Sequence, residues 1–206
     1  ASAIIGGLIL ARSLVVGGVD RMNDNDVLTL ATEMEGHPDN VAAALHGGAV
    51  ISWPGNEFAD AIKLEVSPRI TAVAFIPANN VPTSKARKML PENIPHQDAV
   101  KNSIHTALLT QALTARPDLL LTATEDFLHQ SYREAAMPKS FALMQKLRAA
   151  GVPAFISGAG PTVLALLVDA DIHHDDEMGD LVRAAGSGFT VENIDISPTG
   201  YQVSNL

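Results

Sequence analysis

Apolar residues in the first part of the chain follow the spacing of helices. Residues 3–16 are apolar on nearly every side and stop at Gly17-Gly18, which predicts a buried helix. The polar cluster "DRMNDND" then offers capping side chains to a second helix, "VLTLATEMEG". The residues of this second helix that share an apolar face, at i, i+3, i+4 and i+7, are Val27, Leu30, Ala31 and Met34.

The rest of the chain mixes predicted strands and helices without a strict alternation. Strands are predicted in "GAVISW", "AIKLEV" and "ITAVAFIP", and the last is apolar throughout, which is typical of a buried strand. Helices are predicted in "TSKARKML" and at about residues 98–115, 118–136, 139–151 and 176–186. "PAFISGAGPTVLALLV" predicts two strands joined by a glycine turn, and "TVENIDIS" and "GYQVS" predict terminal strands. This order favours an α+β fold with a domain change near Pro68.

Composition and charge exclude several classes of protein. With 47% hydrophobic and 18% charged residues among 206, the chain is globular rather than disordered. A net charge of −9 argues against sequence-independent binding of nucleic acid. The apolar start, "ASAIIGGLILARSLVVGG", has Arg12 near its middle, where a charge would be costly in a membrane-spanning helix. Because cysteine is also absent, we expect a cytoplasmic protein with neither a membrane nor a nucleic-acid partner.

The stretch "TEMEGHPDN" concentrates carboxylates around a rigid turn and permits two interpretations. In the first, Gly36 ends one helix, Pro38 prevents its continuation and Asp39 caps the next helix. In the second, Glu33 or Glu35 binds Mg²⁺ and Asp39 faces a cationic group of a substrate. Mg²⁺ needs only one or two carboxylates besides water and phosphate, so the residues alone leave both interpretations open.

The glycine turn "SGAGPT" also has two interpretations. A glycine turn between two strands is most simply a hairpin. The alternative is a close backbone approach to a phosphate-bearing neighbour, for which Gly158 and Gly160 would leave room.

Two arginines are candidates for binding an anion. Arg87 lies in "TSKARK" and Arg133 in "EDFLHQSYRE". On the predicted helix, Asp126, His129 and Arg133 fall on one polar line, which a solvated helix face would explain. The planar guanidinium is also the usual partner of a carboxylate, so an amino-acid or phosphate ligand is the alternative.

Four motifs, taken together and in order, resemble a known family. They are "EGHPDNVAAALHGG", "PTSKARKMLP", "ATEDFLHQSYRE" and "ISGAGPTVLALL". Their order and spacing are similar to the pattern of the homoserine kinases of the GHMP small-molecule kinase superfamily, over essentially all 206 residues. The resemblance implies a GHMP kinase two-domain fold: an incomplete N-terminal, ATP-binding domain at residues 1–67 and a ferredoxin-like C-terminal domain at residues 68–206.

The resemblance implies roles for the residues of the polar turn. Glu33 matches the glutamate that binds Mg²⁺ in the family, with Glu35 as the less favoured alternative. Asp39 resembles the residue that meets the amino group of L-homoserine. Glu33 and Asp39 are therefore the expected catalytic residues.

The arginines and the glycine turn receive roles from the same resemblance. Arg87 and Arg133 match the arginines that hold the substrate carboxylate. Ser157, Gly158 and Gly160 match the family motif that supports the phosphate loop.

The implied activity is phosphorylation of the side-chain hydroxyl of L-homoserine to O-phospho-L-homoserine in threonine biosynthesis, with ATP and Mg²⁺. A homodimer is compatible with this expectation. The family's "GLGSS" phosphate loop is expected just upstream of Ala1, so the 206 residues alone are expected to be an inactive C-terminal two-thirds. The alternatives are another GHMP kinase, such as a mevalonate-type kinase, and a non-catalytic amino-acid-binding module.

Overall fold

The chain folds as two units, and its last part returns to the first of them. The first unit comprises residues 1–66 and 196–206, and the second comprises residues 67–195. The residues that the structure, a computed structural model, describes are 1–55, 58–78, 86, 88–168 and 188–204. The helix expected at 176–186 and half of the one in "TSKARKML" lie outside them. The identities given to the two domains from the sequence stay predictions.

The described residues of the first unit form four helices and a two-stranded antiparallel sheet. The strands pair from Ala49 opposite Leu64 to Pro54 opposite Ala59. The elements, in chain order, are α1 (Ser2–Ser13), α2 (Gly18–Arg21), α3 (Asp24–Glu35), α4 (Asp39–His46), β1 (Ala49–Pro54) and β2 (Ala59–Leu64).

The start of α3 follows from the polar cluster that precedes it. The side chain of Asn23 accepts hydrogen bonds from the backbone N–H groups of Asn25 and Asp26, at 2.8 and 3.1 Å. Asp26 in return accepts from the backbone N–H of Asn23, which completes a capping box. Val27 and Ala31 of the predicted apolar face are buried, whereas Met34 is exposed.

The segment 196–204 packs on the first unit without forming the strand predicted in "GYQVS". The backbone N–H of Gly48 donates to the carbonyl of Ser197 at 2.7 Å, and Lys63 Nζ donates to the carbonyl of Pro198. A Cβ on Gly47 or Gly200 would collide with backbone across this contact. The strand prediction was wrong because these close backbone contacts, rather than a strand partner, fix the segment.

The second unit contains a four-stranded sheet and several helices. Its elements, in chain order, are β3 (Ile70–Pro77), α5 (His96–Thr114), a 3₁₀-helix (Pro117–Leu119), α6 (Leu120–Ala123), a second 3₁₀-helix (Ser131–Ala136), α7 (Pro138–Ala149), β4 (Ala154–Ile156), β5 (Val163–Val168) and β6 (Phe189–Ile194).

The sheet of the second unit is antiparallel, in the order β4-β5-β3-β6. If the strands β3 to β6 are numbered 1 to 4 along the chain, their order across the sheet is 2-3-1-4, which is the ferredoxin-like arrangement. The apolar run of β3 lies between two partner strands, and Phe75 at its centre is fully buried. The predicted α+β class is confirmed.

One long helix predicted from the sequence does not form. Residues 118–136 were expected to be a single helix, but the chain makes the 3₁₀-helix Pro117–Leu119 and α6 in direct succession, then an irregular turn, and then the second 3₁₀-helix, Ser131–Ala136. The carboxylate of Asp126 accepts the backbone N–H groups of Leu128, His129 and Gln130. This side chain competes with the helical hydrogen bonds, so the apolar spacing is not followed by a continuous helix.

Candidate functional site

The candidate residues fall into two groups, one in each unit, and the first group surrounds the turn between α3 and α4. Gly36 ends α3 with a φ of 90°, a left-handed conformation that glycine adopts without strain. Pro38 precedes α4, and Asp39 is the first residue of that helix. The predicted helix stop and restart are therefore present.

Asp39 does not cap α4. No side-chain hydrogen bond caps this helix, and Asp39 Oδ1 lies 2.6 Å from both the backbone nitrogen of Asn40 and Nδ1 of His37. The Asp39 side chain is 69% exposed. The capping interpretation of this aspartate was wrong, because Asp39 is the first residue of the helix and Pro38 occupies the N-cap position before it. His37 was not singled out from the sequence, although its place two residues before Asp39 was a signal for it.

The two glutamates near the end of α3 have different surroundings. Glu33 is exposed. Glu35 is 24% exposed, and its Oε2 lies 3.1 Å from the nitrogen of Ala1. Near the C-terminal end of α1, Arg12 Nη1 donates to Asp24, the first residue of α3, at 2.7 Å. The helices α1 and α3 are thus antiparallel, and the carboxylate of Glu35 lies at the N-terminal end of α1.

This arrangement is compatible with one oxygen ligand to a divalent cation. Among the described residues there is no group of three or more His, Asp or Glu side chains that could hold a metal by themselves. Mg²⁺ commonly takes one or two carboxylates and completes its shell with water and phosphate. A single glutamate beside a helix N-terminus, where anions are favoured, fits that requirement.

The second group lies around Arg133 and the glycine turn. Arg133 belongs to the 3₁₀-helix Ser131–Ala136 and is only 8% exposed. Its Nη1 donates to the carbonyl of Gly158 at 3.0 Å. The structure therefore joins two sequence candidates that are 25 residues apart. The second candidate arginine, Arg87, lies outside the described residues.

The segment "SGAGPT" forms the predicted turn between β4 and β5. The backbone N–H of Ser157 donates to the carbonyl of Thr162, and that of Gly160 donates to the carbonyl of Ser157, both at 2.9 Å. Gly158 has a φ of 57°, and nothing lies near the place of its missing Cβ. A Cβ on Gly160 would instead collide with Met137, so this glycine is explained by internal packing.

Asp126 holds the turn that leads into the Arg133 segment. Burial would raise the pKa of its carboxyl, but hydrogen bonds from the His129 ring and from the backbone of Gln130 and Leu128 outweigh burial and lower the pKa to about 2. The contact between Asp126 Oδ1 and His129 Nδ1 is 3.0 Å. The carboxylate is therefore ionised throughout the neutral range and organises the local backbone.

Comparisons with known proteins agree on the family. The sequence matches the family described as GHMP kinases C terminal over residues 106–188. It is 48% identical over 205 residues to a homoserine kinase of Streptomyces avermitilis and 48% identical over 206 residues to one of Streptomyces coelicolor. Each alignment covers 100% of this chain but only 65% and 64% of the relatives, so the chain spans somewhat less than two thirds of their length.

Solved structures agree on the fold. The crystal structure of homoserine kinase from Cytophaga hutchinsonii matches 87% of this chain and 60% of its own chain, with a TM-score of 0.72 at 24% identity. The mevalonate kinase of L. major in complex with R-mevalonate matches 95% of this chain and 66% of its own, with a TM-score of 0.59 at 17% identity. In the part of the chain that the structure describes, no helix is long and apolar enough to cross a membrane. The sequence match thus assigns residues 106–188 to the GHMP kinase C-terminal family, and the solved GHMP-type kinases share the fold of the chain.

Proposed function

We propose that this chain is part of a homoserine kinase, which transfers the γ-phosphoryl group of ATP to the side-chain hydroxyl of L-homoserine. The observation that carries the proposal is the 48% identity to two homoserine kinases along the whole chain. The product is O-phospho-L-homoserine, an intermediate on the way to threonine. The enzyme acts in the cytoplasm, and Mg²⁺ accompanies its ATP.

The metal ligand in this proposal is Glu35 rather than Glu33. When bound, Mg²⁺ neutralises the charge that develops on the transferred phosphoryl group. A ligand for that ion has to lie where phosphate is held, and a helix N-terminus is such a place because its N–H groups and dipole favour anions. Glu35 lies at the N-terminal end of α1, and Glu33 is exposed on α3. The proposal therefore departs from the preference for Glu33 that the resemblance implied.

Asp39 binds the ammonium group of the substrate. Its carboxylate is exposed and is not engaged in capping α4, so it remains able to accept hydrogen bonds from a ligand. The ring of His37 lies 2.6 Å from one of its oxygens and restricts the rotation of the carboxylate. His37 therefore acts as a neighbour that orients Asp39.

Arg133 holds the substrate carboxylate. A buried guanidinium with one nitrogen fixed on the carbonyl of Gly158 has a defined plane, which is what two-point binding of a carboxylate requires. Arg87 is assigned the same role on the resemblance alone. Ser157, Gly158 and Gly160 are assigned the support of the phosphate loop on the resemblance alone.

The test uses the complete polypeptide encoded by the gene, purified and supplied with MgATP. ADP release is measured with L-homoserine, with mevalonate and without acceptor, and the product is identified by mass spectrometry. We expect homoserine-dependent ADP release and a product heavier by one phosphoryl group. Turnover of mevalonate instead would assign another GHMP kinase, and calorimetric binding of homoserine without turnover would favour a binding module. A homodimer stays a prediction that light scattering can test on the same sample.

A further inference from the structure

Among the described residues, the outer edge of β4 is bound by side chains instead of by another strand. β4 is the first strand of the sheet order, and its pairing is with β5. On the side away from β5, the backbone N–H of Ile156 donates to Oε1 of Gln130 at 2.6 Å. Two residues further on, the carbonyl of Gly158 accepts from Arg133 at 3.0 Å.

A third contact binds the same edge of β4 two residues before Ile156. The carbonyl of Ala154 accepts from Nη1 of Arg148 at 3.0 Å. Arg148 also donates to the carbonyl of Leu121 at 2.5 Å, which fixes its own position. The edge is thus bound at residues 154, 156 and 158, and Gln130 provides the middle contact.

Gln130 is itself held in place on both sides. Its backbone N–H donates to Oδ2 of Asp126 at 2.5 Å. Its carbonyl accepts from the backbone N–H of Arg133 at 3.1 Å, so Gln130 directly supports the 3₁₀-helix that carries the arginine. One residue therefore contacts the end of β4 through its side chain and the arginine segment through its backbone.

We propose that Gln130 is a positioning residue for substrate binding: its amide oxygen fixes the end of β4, and through it Gly158, so that the guanidinium of Arg133 keeps the orientation needed for a carboxylate. This inference rests on the proposed homoserine kinase activity. Gln130 itself contacts neither substrate nor metal in this proposal.

The physical reason is the cost of a buried N–H without a partner. Ile156 is buried, so its N–H has little access to water if the Gln130 oxygen is removed. The end of β4 then has to shift to regain a hydrogen bond. Gly158 follows because it has no side chain to hold it in its left-handed conformation. The carbonyl that fixes Nη1 of Arg133 moves with it, and two-point binding is sensitive to that plane.

The experiment compares two substitutions of the same residue in the complete enzyme. Gln130→Met keeps the length of the side chain but removes the acceptor, whereas Gln130→Glu keeps an oxygen that can accept from Ile156. Gln145→Met, at an exposed position of α7, is the matched control. For each variant, kcat and the KM values for L-homoserine and ATP are measured, together with hydrogen exchange at residues 154–162.

We expect Gln130→Met to raise the KM for homoserine about tenfold, while kcat and the KM for ATP change less than about twofold. Exchange at Ile156 and in the glycine turn should become faster in this variant, with the β3–β5 amides unchanged. Gln130→Glu should restore most of both properties, and Gln145→Met should match the wild type.

The positioning role is overturned if Gln130→Met exchanges and binds homoserine like the wild type, or if Gln130→Glu is as impaired as Gln130→Met. A fall in kcat together with similar rises in the KM values for homoserine and ATP would also overturn it, because that pattern indicates general damage. If the wild-type enzyme does not phosphorylate homoserine, the proposed function fails, and the substrate part of this inference fails with it. The exchange data then decide separately whether Gln130 holds the turn.

Discussion

The polar turn of the first unit and the arginine segment of the second hold their charged groups by different means. The side chain of Asp39 is 69% exposed and contacts the His37 ring and the backbone of Asn40 beside it, whereas Arg133 is 8% exposed and is bonded to the backbone of a distant turn. A group of the first kind can be altered without disturbing the fold. A group of the second kind contributes to both function and stability, so its substitution mixes the two effects.

The largest effect is expected at the end of α3. Glu35→Gln should lower kcat on the order of 100-fold and raise the Mg²⁺ concentration needed for half-maximal rate, because an amide is a weak ligand for a hard cation. Glu33→Gln is the matched control two residues away, and it should leave both quantities within about twofold. A metal phenotype in Glu33→Gln, with Glu35→Gln normal, would restore the preference derived from the sequence. Steady-state kinetics across a magnesium titration make the measurement.

The next effect tests whether Arg133 combines function and stability. Arg133→Ala should raise the KM for homoserine, since losing a charge-assisted contact costs about 1.5–3 kcal/mol, and leave the KM for ATP nearly unchanged. Urea unfolding should also show lower stability, because the carbonyl of Gly158 loses a donor. Arg133→Lys should rescue poorly, because an ammonium cannot form the two-point contact. Equal losses for both substrates would contradict the assignment.

A smaller effect, confined to function, is expected at Asp39. Asp39→Asn should raise the KM for homoserine about tenfold and change the free energy of unfolding by less than about 0.5 kcal/mol. Asn23→Ala provides the converse control, because Asn23 does cap a helix. It should cost about 0.5–2 kcal/mol of stability and leave the KM values unchanged. A loss of stability in Asp39→Asn as large as that in Asn23→Ala would show that Asp39 contributes to stability as Arg133 does, which would remove the contrast between these two residues.

The smallest effect is a pH dependence that belongs to the arginine segment. The pKa of Asp126 is lowered from an ordinary 3.8 to about 2 in the folded protein. A depressed carboxyl pKa contributes stability that is present above pH 4 and lost as the pH falls towards 2. After allowance for solvent screening the contribution is about 1–2 kcal/mol. Asp126→Asn should therefore lower stability at pH 7 and flatten its fall between pH 4 and pH 2 in denaturant titrations. If the free energies of unfolding of the wild type and of Asp126→Asn fall in parallel between pH 4 and pH 2, this role of Asp126 is contradicted.

Local patterns in the sequence predicted much of the fold. The apolar run of β3, the polar cluster that caps α3 and the glycine turn between β4 and β5 each depend on residues next to one another in the chain. Such features are readable because their hydrogen bonds close within a few residues.

Long-range contacts explain what the sequence did not predict. The Gln130 side chain bonds Ile156, and Arg133 bonds Gly158, across about 25 residues in both cases. No spacing rule relates those positions. At Asp126 a side chain takes hydrogen bonds that a helix would have needed, and periodicity cannot detect that competition.

The return of residues 196–204 to the first unit has a consequence for synthesis on the ribosome. Tyr201 donates to Asp24 at 3.2 Å and accepts from Arg12 at 2.6 Å, so a residue made late joins a cluster begun near the start of the chain. At about 5–20 residues per second, on the order of ten seconds pass between residue 66 and that contact. During this interval the contacts of Tyr201 with Arg12 and Asp24 cannot form, because Tyr201 is made only after the second unit.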